Sequence, residues 1–435
     1  MRVDDFRRVV ADWLSSELPE LLERDVQLPT DSENVVAVVG PRRAGKTSLM
    51  LLTVRRLLEA GIPRNNILYV DFEHPRLIGL DASSLDDMMV AFIELARPTG
   101  TVYLFLDEIQ AVSGYGRWVR SMERRRARIY ISGSTSGLTP GGIAEELRGR
   151  SVSYELLPLS FREYLRFVNL DVDVGISTYT HERGRVLSAL RDYLMYGSYP
   201  GVVRERDKPR LLRSYFESVV VRDFPDVQSG IAEAFLRYII SNYARPTSVN
   251  RIYGYLREMY SVGKETVMNL FRRGRETFFL FPVQIFLRSE RGRETSPKKI
   301  YIVDTGYPVA LGYDFSVGRA MENAVFLELV RRGRGEIHYW REYGRSTGLE
   351  VDFVLSRNFE PLELIQVTYA SSEADLDGRE VRALRKAMDF LGVGRGTVIT
   401  WDLELDDGDV SFVPLWKWLL VEGLMADRDE SVGAV

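Results

Sequence analysis

Residues 35–58 read VVAVVGPRRAGKTSLMLLTVRRLL: an unbroken apolar run, a turn bounded by glycines, then apolar residues at helical spacing. An apolar run without polar alternation belongs to a strand covered on both faces, which calls for a parallel sheet between helices. The turn, Gly40-Pro41-Arg42-Arg43-Ala44-Gly45-Lys46-Thr47, matches G-x-x-x-x-G-K-[ST], the phosphate-binding loop. The expected fold class is therefore α/β, with a P-loop domain at its start.

Gly40, Pro41, Arg42, Arg43, Ala44, Gly45, Lys46, Thr47 and Ser48 form the expected nucleotide cradle. Backbone N–H groups curl there around a phosphate at a helix N-terminus, where the helix dipole also favours negative charge. Lys46 is placed to reach the β and γ oxygens of ATP, and Thr47 to ligate Mg²⁺. A second motif, TVYLFLDEIQ (101–110), is an apolar strand ending in two acids. Asp107 fits the residue that holds Mg²⁺, and Glu108 is the candidate to orient or deprotonate the attacking water.

NILYVDFEHPRL (66–77) supplies a further strand ending in Asp71 and Glu73, and RIYISGSTSG (128–137) another ending in small hydroxyl residues. A polar residue at the tip of a strand beside the P-loop strand can contact the γ-phosphate or the catalytic water. Ser134 is the choice for that sensor, with Ser132 as fallback; an ordinary Ser-Gly turn is the competing reading. Arg148 and Arg150 follow. Arginines there either serve a neighbouring copy's ATP in trans, which requires a homo-oligomer, or are plain surface cations.

Several stretches together resemble one family: PRRAGKTSL, FLDEIQ, ISGSTSG, LRGRSVSYELLPLSFREYL, YLMYGSYPGVV, VRDF and KKIYIVDTGYPVA. In this order they are similar to the archaeal and bacterial AAA+ ATPases with a C-terminal DUF4143-type region. The resemblance covers nearly the whole chain. It implies an AAA+ core, a small helical lid, a winged-helix segment and a restriction-endonuclease-like domain, and it carries no settled cellular role. One departure is Gly197-Ser198-Tyr199-Pro200, where the family usually has two glycines before the aromatic-Pro pair; it bears on lid packing. The expected division is an AAA+ nucleotide-binding domain over 1–158, a helical lid over 159–230, a winged-helix-like domain over 231–318, a restriction-endonuclease-like domain over 319–425 and a polar tail over 426–435.

From Ile231 to Asp304 the pattern is short helices and then a hairpin, the layout of a winged helix, whose third helix commonly enters a DNA groove. Between Arg245 and Arg275 seven Lys or Arg face two acids, and the hairpin tip adds Arg288, Arg291, Arg293, Lys298 and Lys299. In a chain with net charge −4 this local excess marks a candidate DNA surface, carried by Lys264, Arg272, Arg273, Arg275, Arg291 and Arg293. Winged helices also dock proteins, which leaves a nucleotide-dependent switch acting on a protein partner as the alternative.

The helix containing Glu322 precedes three strand candidates, EIHYWRE, LEVDFVLSR and LELIQVTYA. Restriction-endonuclease-like cores use this order to converge acids and a lysine on Mg²⁺. Mapped onto that pattern, Glu322, Asp352, Gln366 and Thr368 hold the four places. Gln366 offers only a neutral carbonyl to a hard cation, and Thr368 cannot supply an ammonium. The expectation is a degenerate nuclease site.

Composition closes other routes. The chain has 435 residues, enough for about three domains. With no cysteine, disulfide scaffolds, thiolate zinc sites and thiol catalysis are excluded. His74, His181 and His338 are isolated, so a zinc pair is not expected. No apolar run approaches the roughly 18 residues of a membrane span, and the reading is of a cytoplasmic protein without membrane contact. Arginine outnumbers lysine 51 to 7, which fits a thermophile or a GC-rich genome.

Overall fold

The computed structural model describes residues 2–122, 127–133, 143, 146, 147, 149–172, 181–342 and 348–421. The chain falls into two compact units, Met1–Pro158 with Glu276–Phe278, and Leu159–Arg275 with Phe279–Val435. The divisions at 230/231 and 318/319 both lie inside the second unit. No helix among the described residues is long and apolar enough to cross a membrane.

The first unit is built on β1 (Val35–Val39), β2 (Ile67–Asp71), β3 (Val102–Asp107), β4 (Ala127–Ser132) and β5 (Ser151–Glu155). They form one sheet in the order β2-β3-β4-β1-β5, every pairing parallel. All five residues of β1 are buried, as an apolar run covered on both faces requires. The helix Arg2–Ser15 packs against Ser84–Ala96 and β2, burying Phe6, Val10 and Trp13. The Trp13 indole N–H donates to the Ile67 carbonyl at 2.7 Å, so its one polar atom is satisfied. With this order, the C-terminal tips of β3, β4 and β1 stand side by side, where a ligand meets an open α/β sheet.

In the second unit, helices Phe161–Phe167, His181–Tyr196, Pro200–Arg204 and Lys208–Asp223 come first. Ser160 opens them with a capping box: its side chain accepts from the Glu163 N–H, and the Glu163 carboxylate accepts from the Ser160 N–H. Helices Ser229–Ser241, Val249–Arg257 and Lys264–Glu276 follow.

The remaining strands are β6 (Arg245–Thr247), β7 (Leu280–Ile285), β8 (Lys298–Ile302), β9 (Glu336–Arg341), β10 (Glu350–Arg357), β11 (Glu360–Val367), β12 (Gly396–Thr400), β13 (Leu405–Asp407) and β14 (Val410–Pro414). They make a single nine-stranded sheet, ordered β13-β14-β12-β11-β10-β9-β7-β8-β6. The β7–β8 hairpin therefore continues through the parallel β7–β9 pair into the C-terminal strands. Its tip is not a bare charged loop: Glu290–Thr295 is a short helix capped by Ser289. Strand β11 ends at Val367, so Thr368 lies just past it, although its N–H still donates to Ile399 at 2.9 Å.

Helix Gly378–Leu391 covers this sheet, packing Leu384, Ala387 and Met388 onto Val351, Val354, Leu364 and Val398. Helix Val317–Arg332 is buried at every residue from Ala320 to Leu329. Its Asn323 amide both donates to and accepts from the Ile302 backbone, at 2.8 and 2.9 Å. The side chain completes the ladder of β8 beyond the three residues of β6.

Candidate functional site

Strand β1 delivers the chain into the loop at Gly40, where φ is +147° and a Cβ would overlap the Leu156 carbonyl oxygen. Only glycine fits. Gly45, at φ +101°, turns the chain into helix Lys46–Glu59. The buried Arg24 guanidinium donates to the carbonyls of Ala44 (2.8 Å) and Leu157 (2.9 Å), tying the loop to the segment after β5. Lys46 is buried, its ammonium donating to the Gly40 and Pro41 carbonyls, each at 3.0 Å. Thr47 and Ser48 are exposed at the helix N-terminus.

Asp107, 2% exposed, is the hub of the hydroxyl groups at the strand tips. One carboxylate oxygen accepts from Thr47 Oγ1 and from the Tyr69 hydroxyl, both at 2.7 Å. The other accepts from Ser132 Oγ. Glu108 has φ +52°, its N–H donates to Ser132 Oγ at 3.4 Å, and its carboxylate accepts from the Gln110 amide. Burial, with the like charges of Asp107 and Glu108, pushes the nearby Asp71 carboxyl up. A pocket of hard oxygen donors whose acids repel one another suits a divalent cation.

Among the sequence-predicted residues, Lys46, Thr47, Asp107 and Glu108 are thus brought together. The fallback sensor Ser132 is on Asp107. Ser134 and Arg148 lie outside the described residues. Arg150 is exposed just before β5, its carbonyl accepting from the Val35 N–H at 3.1 Å. Arg42 lies 3.9 Å from Glu73. Arg24 and Tyr69 escaped the sequence reading. Tyr69 had a signal, since its two-residue offset from Asp71 puts both on one face of β2, beside β3.

A second constellation occupies the second unit. Lys299 on β8, 2% exposed at its side chain, lies 2.7 Å from Asp352, 2.8 Å from Glu322 and 3.0 Å from Glu350. The other Asp352 oxygen accepts from the Gln366 amide at 2.9 Å and the Val367 N–H at 3.0 Å. The Glu322 oxygen also accepts from the Tyr301 hydroxyl at 2.7 Å. Burial would push the Lys299 ammonium down, but Asp352, Glu322, Tyr301 and Glu350 together hold it well above the usual lysine range. Burial and Asp352 push Glu322 up. Thr368 stands apart from this group, hydrogen-bonded to Glu380. Sequence reasoning places Glu322, Asp352 and Gln366 here and misses Lys299, which it assigns to a solvated hairpin tip. The alternation of Lys299 with Tyr301 on one face of β8 is the available signal.

Two further residues of the expected nucleic-acid surface are committed within the protein. Arg273 donates to the Asp223 carbonyl at 2.8 Å. Arg293 donates to the carbonyls of Leu287 (2.7 Å) and Arg288 (3.1 Å) and stacks 4.2 Å from the Phe359 ring. Lys264, Arg272, Arg275 and Arg291 are exposed.

A family model described as an AAA domain matches residues 32–165, and models for two domains of unknown function, DUF8612 and DUF4143, match 187–315 and 317–418. An uncharacterized protein of Methanocaldococcus jannaschii, MJ1544, is 30% identical over 434 residues, covering 95% of each chain. An uncharacterized protein of Haemophilus influenzae is 26% identical over 355 residues, 79% of this chain and 84% of that one. Among solved structures, the Walker-type ATPase of Pyrococcus abyssi covers 71% of this chain and 95% of its own, at 14% identity and a TM-score of 0.40. A superposition that loose adds nothing to the assignment.

Proposed function

The chain belongs to the family of AAA-domain ATPases with a C-terminal DUF4143 region, and from that premise we propose that it binds Mg·ATP in its first unit and hydrolyses it to ADP. The observation that carries this is the 2.7 Å bond between the Thr47 hydroxyl, at the start of the helix after the loop, and the Asp107 carboxylate at the tip of β3. Mg²⁺ bound between Thr47, Asp107 and the phosphates would neutralise charge developing on the transferred phosphoryl group.

The chain's own residues do the rest. Backbone N–H groups from Ala44 to Ser48 receive the phosphates, and Lys46 exchanges its two carbonyl partners for phosphate oxygens, a stronger charge-assisted pairing. Glu108 orients the attacking water and takes its proton. Ser132 fixes that base by joining the Glu108 backbone to Asp107. Arg150, on the surface beside β5, is the candidate to reach ATP held by a second copy. Glu108→Gln should keep ATP binding within about twofold while turnover falls by about 10² or more; unchanged hydrolysis removes Glu108 from its role.

For the second unit we propose a winged-helix reading, with DNA held through the exposed Lys264, Arg272, Arg275 and Arg291. If four phosphates are met, log affinity falls by roughly 3 to 4 per decade of salt. The competing reading, nucleotide state controlling a protein partner, draws support from the internal commitments of Arg273 and Arg293, which thin the basic surface. Absence of binding to double-stranded DNA at low salt would sink the first reading and leave the second.

A further inference from the structure

The carboxylate cluster of the second unit is already filled. Its three acids come from separate stretches of two elements, Glu322 from helix Val317–Arg332 and Glu350 and Asp352 from β10, and all point at one ammonium from β8. An ammonium has three N–H donors, and here there is one acid for each, at 2.7 to 3.0 Å. At 2% exposure, with an acid on each N–H, it has no donor to spare for a substrate phosphate.

Asp352 and Glu322 are engaged beyond the ammonium as well. Both Asp352 oxygens carry donors, and the Glu322 oxygen facing Lys299 also accepts from Tyr301. Gln366 fits this arrangement better than an acid would. A carboxylate there would set a fourth negative charge 2.9 Å from Asp352, whereas the amide donates to it. The glutamine at 366 and the ammonium at the centre are one electrostatic solution.

We propose that Lys299 is the resident cation of the second unit: its ammonium holds the place a divalent ion takes in a metal-dependent phosphodiesterase. It thereby fastens β8 to helix Val317–Arg332 and to β10, and the unit neither needs metal there nor cuts. Cation and strand belong to one covalent chain, so the link is permanent where a metal would come and go with its concentration. Because β8 is half of the β7–β8 hairpin, the link makes that hairpin and the C-terminal strands one body.

The test uses the nucleotide-free full chain, which separates it from the ATPase reading. Mn²⁺ binding is followed by electron paramagnetic resonance for the wild type and for Asp352→Asn. The same isotherm for both, with any response of the melting temperature to Mn²⁺ or chelator also the same in both, is the expected result. A Mn²⁺ site present in the wild type and lost in Asp352→Asn overturns the proposal. In parallel, Lys299→Met leaves two buried acids and the partly exposed Glu350 without a cation. It should melt roughly 10 °C lower and speed amide exchange in residues 298–302 and 317–332, while Lys298→Met, whose ammonium pairs with Glu294, does neither. A Lys299→Met protein that melts with the wild type also overturns it. Should Lys299→Met fail to fold, the Mn²⁺ comparison decides alone.

Discussion

Replacing Asp304 by asparagine should change how stability depends on pH, and the size of the change follows from one buried carboxyl. Asp304 is 1% exposed and accepts the Ser198 N–H at 2.7 Å and the Gly306 N–H at 2.9 Å. Burial pushes its carboxyl up from 3.8 to about 6, against the pull of those donors. A folded-state pKa above the unfolded one means that the folded chain keeps a proton the unfolded chain has released. The group's contribution is therefore full below about pH 4, lost as pH rises towards about 6, and flat beyond. Roughly two units at about 1.4 kcal/mol each make about 3 kcal/mol. The substituted amide cannot ionise, and the backbone donor it leaves facing an NH₂ group costs about 1–3 kcal/mol at every pH. Urea unfolding would be followed by the buried tryptophans of the second unit, Trp340, Trp401, Trp416 and Trp418. Between about pH 4.5 and 7.5 the stability of Asp304→Asn relative to wild type should rise by most of that 3 kcal/mol. A difference that stays constant across the window refutes the idea that Asp304 is held as a buried acid.

Other outcomes are more direct. Ser132→Ala removes the hydroxyl shared by Asp107 and the Glu108 backbone, so kcat for ATP should drop about tenfold to a hundredfold with ATP affinity nearly kept; a pure loss of affinity in a binding titration would place Ser132 in the cradle instead. Charge reversal of Arg275 and Arg291 should weaken DNA binding and flatten its salt dependence by about one unit of slope for each phosphate no longer neutralised, without lowering the melting temperature. Arg273→Gln should do the opposite, destabilising by about 1 kcal/mol through the loss of its bond to Asp223. Equal effects of both changes on DNA affinity would mean that Arg273 reaches the nucleic acid after all.

Much of the first unit is legible in the sequence because its chemistry is local. Strand, loop and helix follow one another in 24 residues, and glycine is forced at 40 by a carbonyl contact that the motif already encodes. Tyr69 and Arg24 are not legible from the motif alone. Their roles depend on which strand neighbours which, and on a segment near residue 24 reaching a carbonyl at 157, a separation that periodicity does not reveal. The two stretches YGSYP and YIVDTG are explained only by the fold. Gly197 has φ +84°, and a Cβ on it would overlap the Asp304 carboxylate, so the stretches interlock. Ser198 adds a hydroxyl 3.3 Å from that same carboxylate.

The expected boundary at 318/319 falls close to the junction of the two family models at 315 and 317, but it lies inside one compact unit whose contacts run across it. A domain needs its own core and few crossing contacts. Here β7 pairs with β9 in parallel, the Asn323 amide completes the backbone ladder of β8, and Lys299 finds its three acids at 322, 350 and 352. Each link joins a residue before 318 to one after it. A buried lysine is tolerable only beside such acids, and the buried pair Glu322 and Asp352 only beside such a lysine. Neither half is thus electrostatically complete alone. The charge pattern that looks in the sequence like a basic tip beside a thinned-out nuclease site is, once folded, a single cluster of three acids around one ammonium, and the ammonium that the C-terminal strand lacks is supplied by β8.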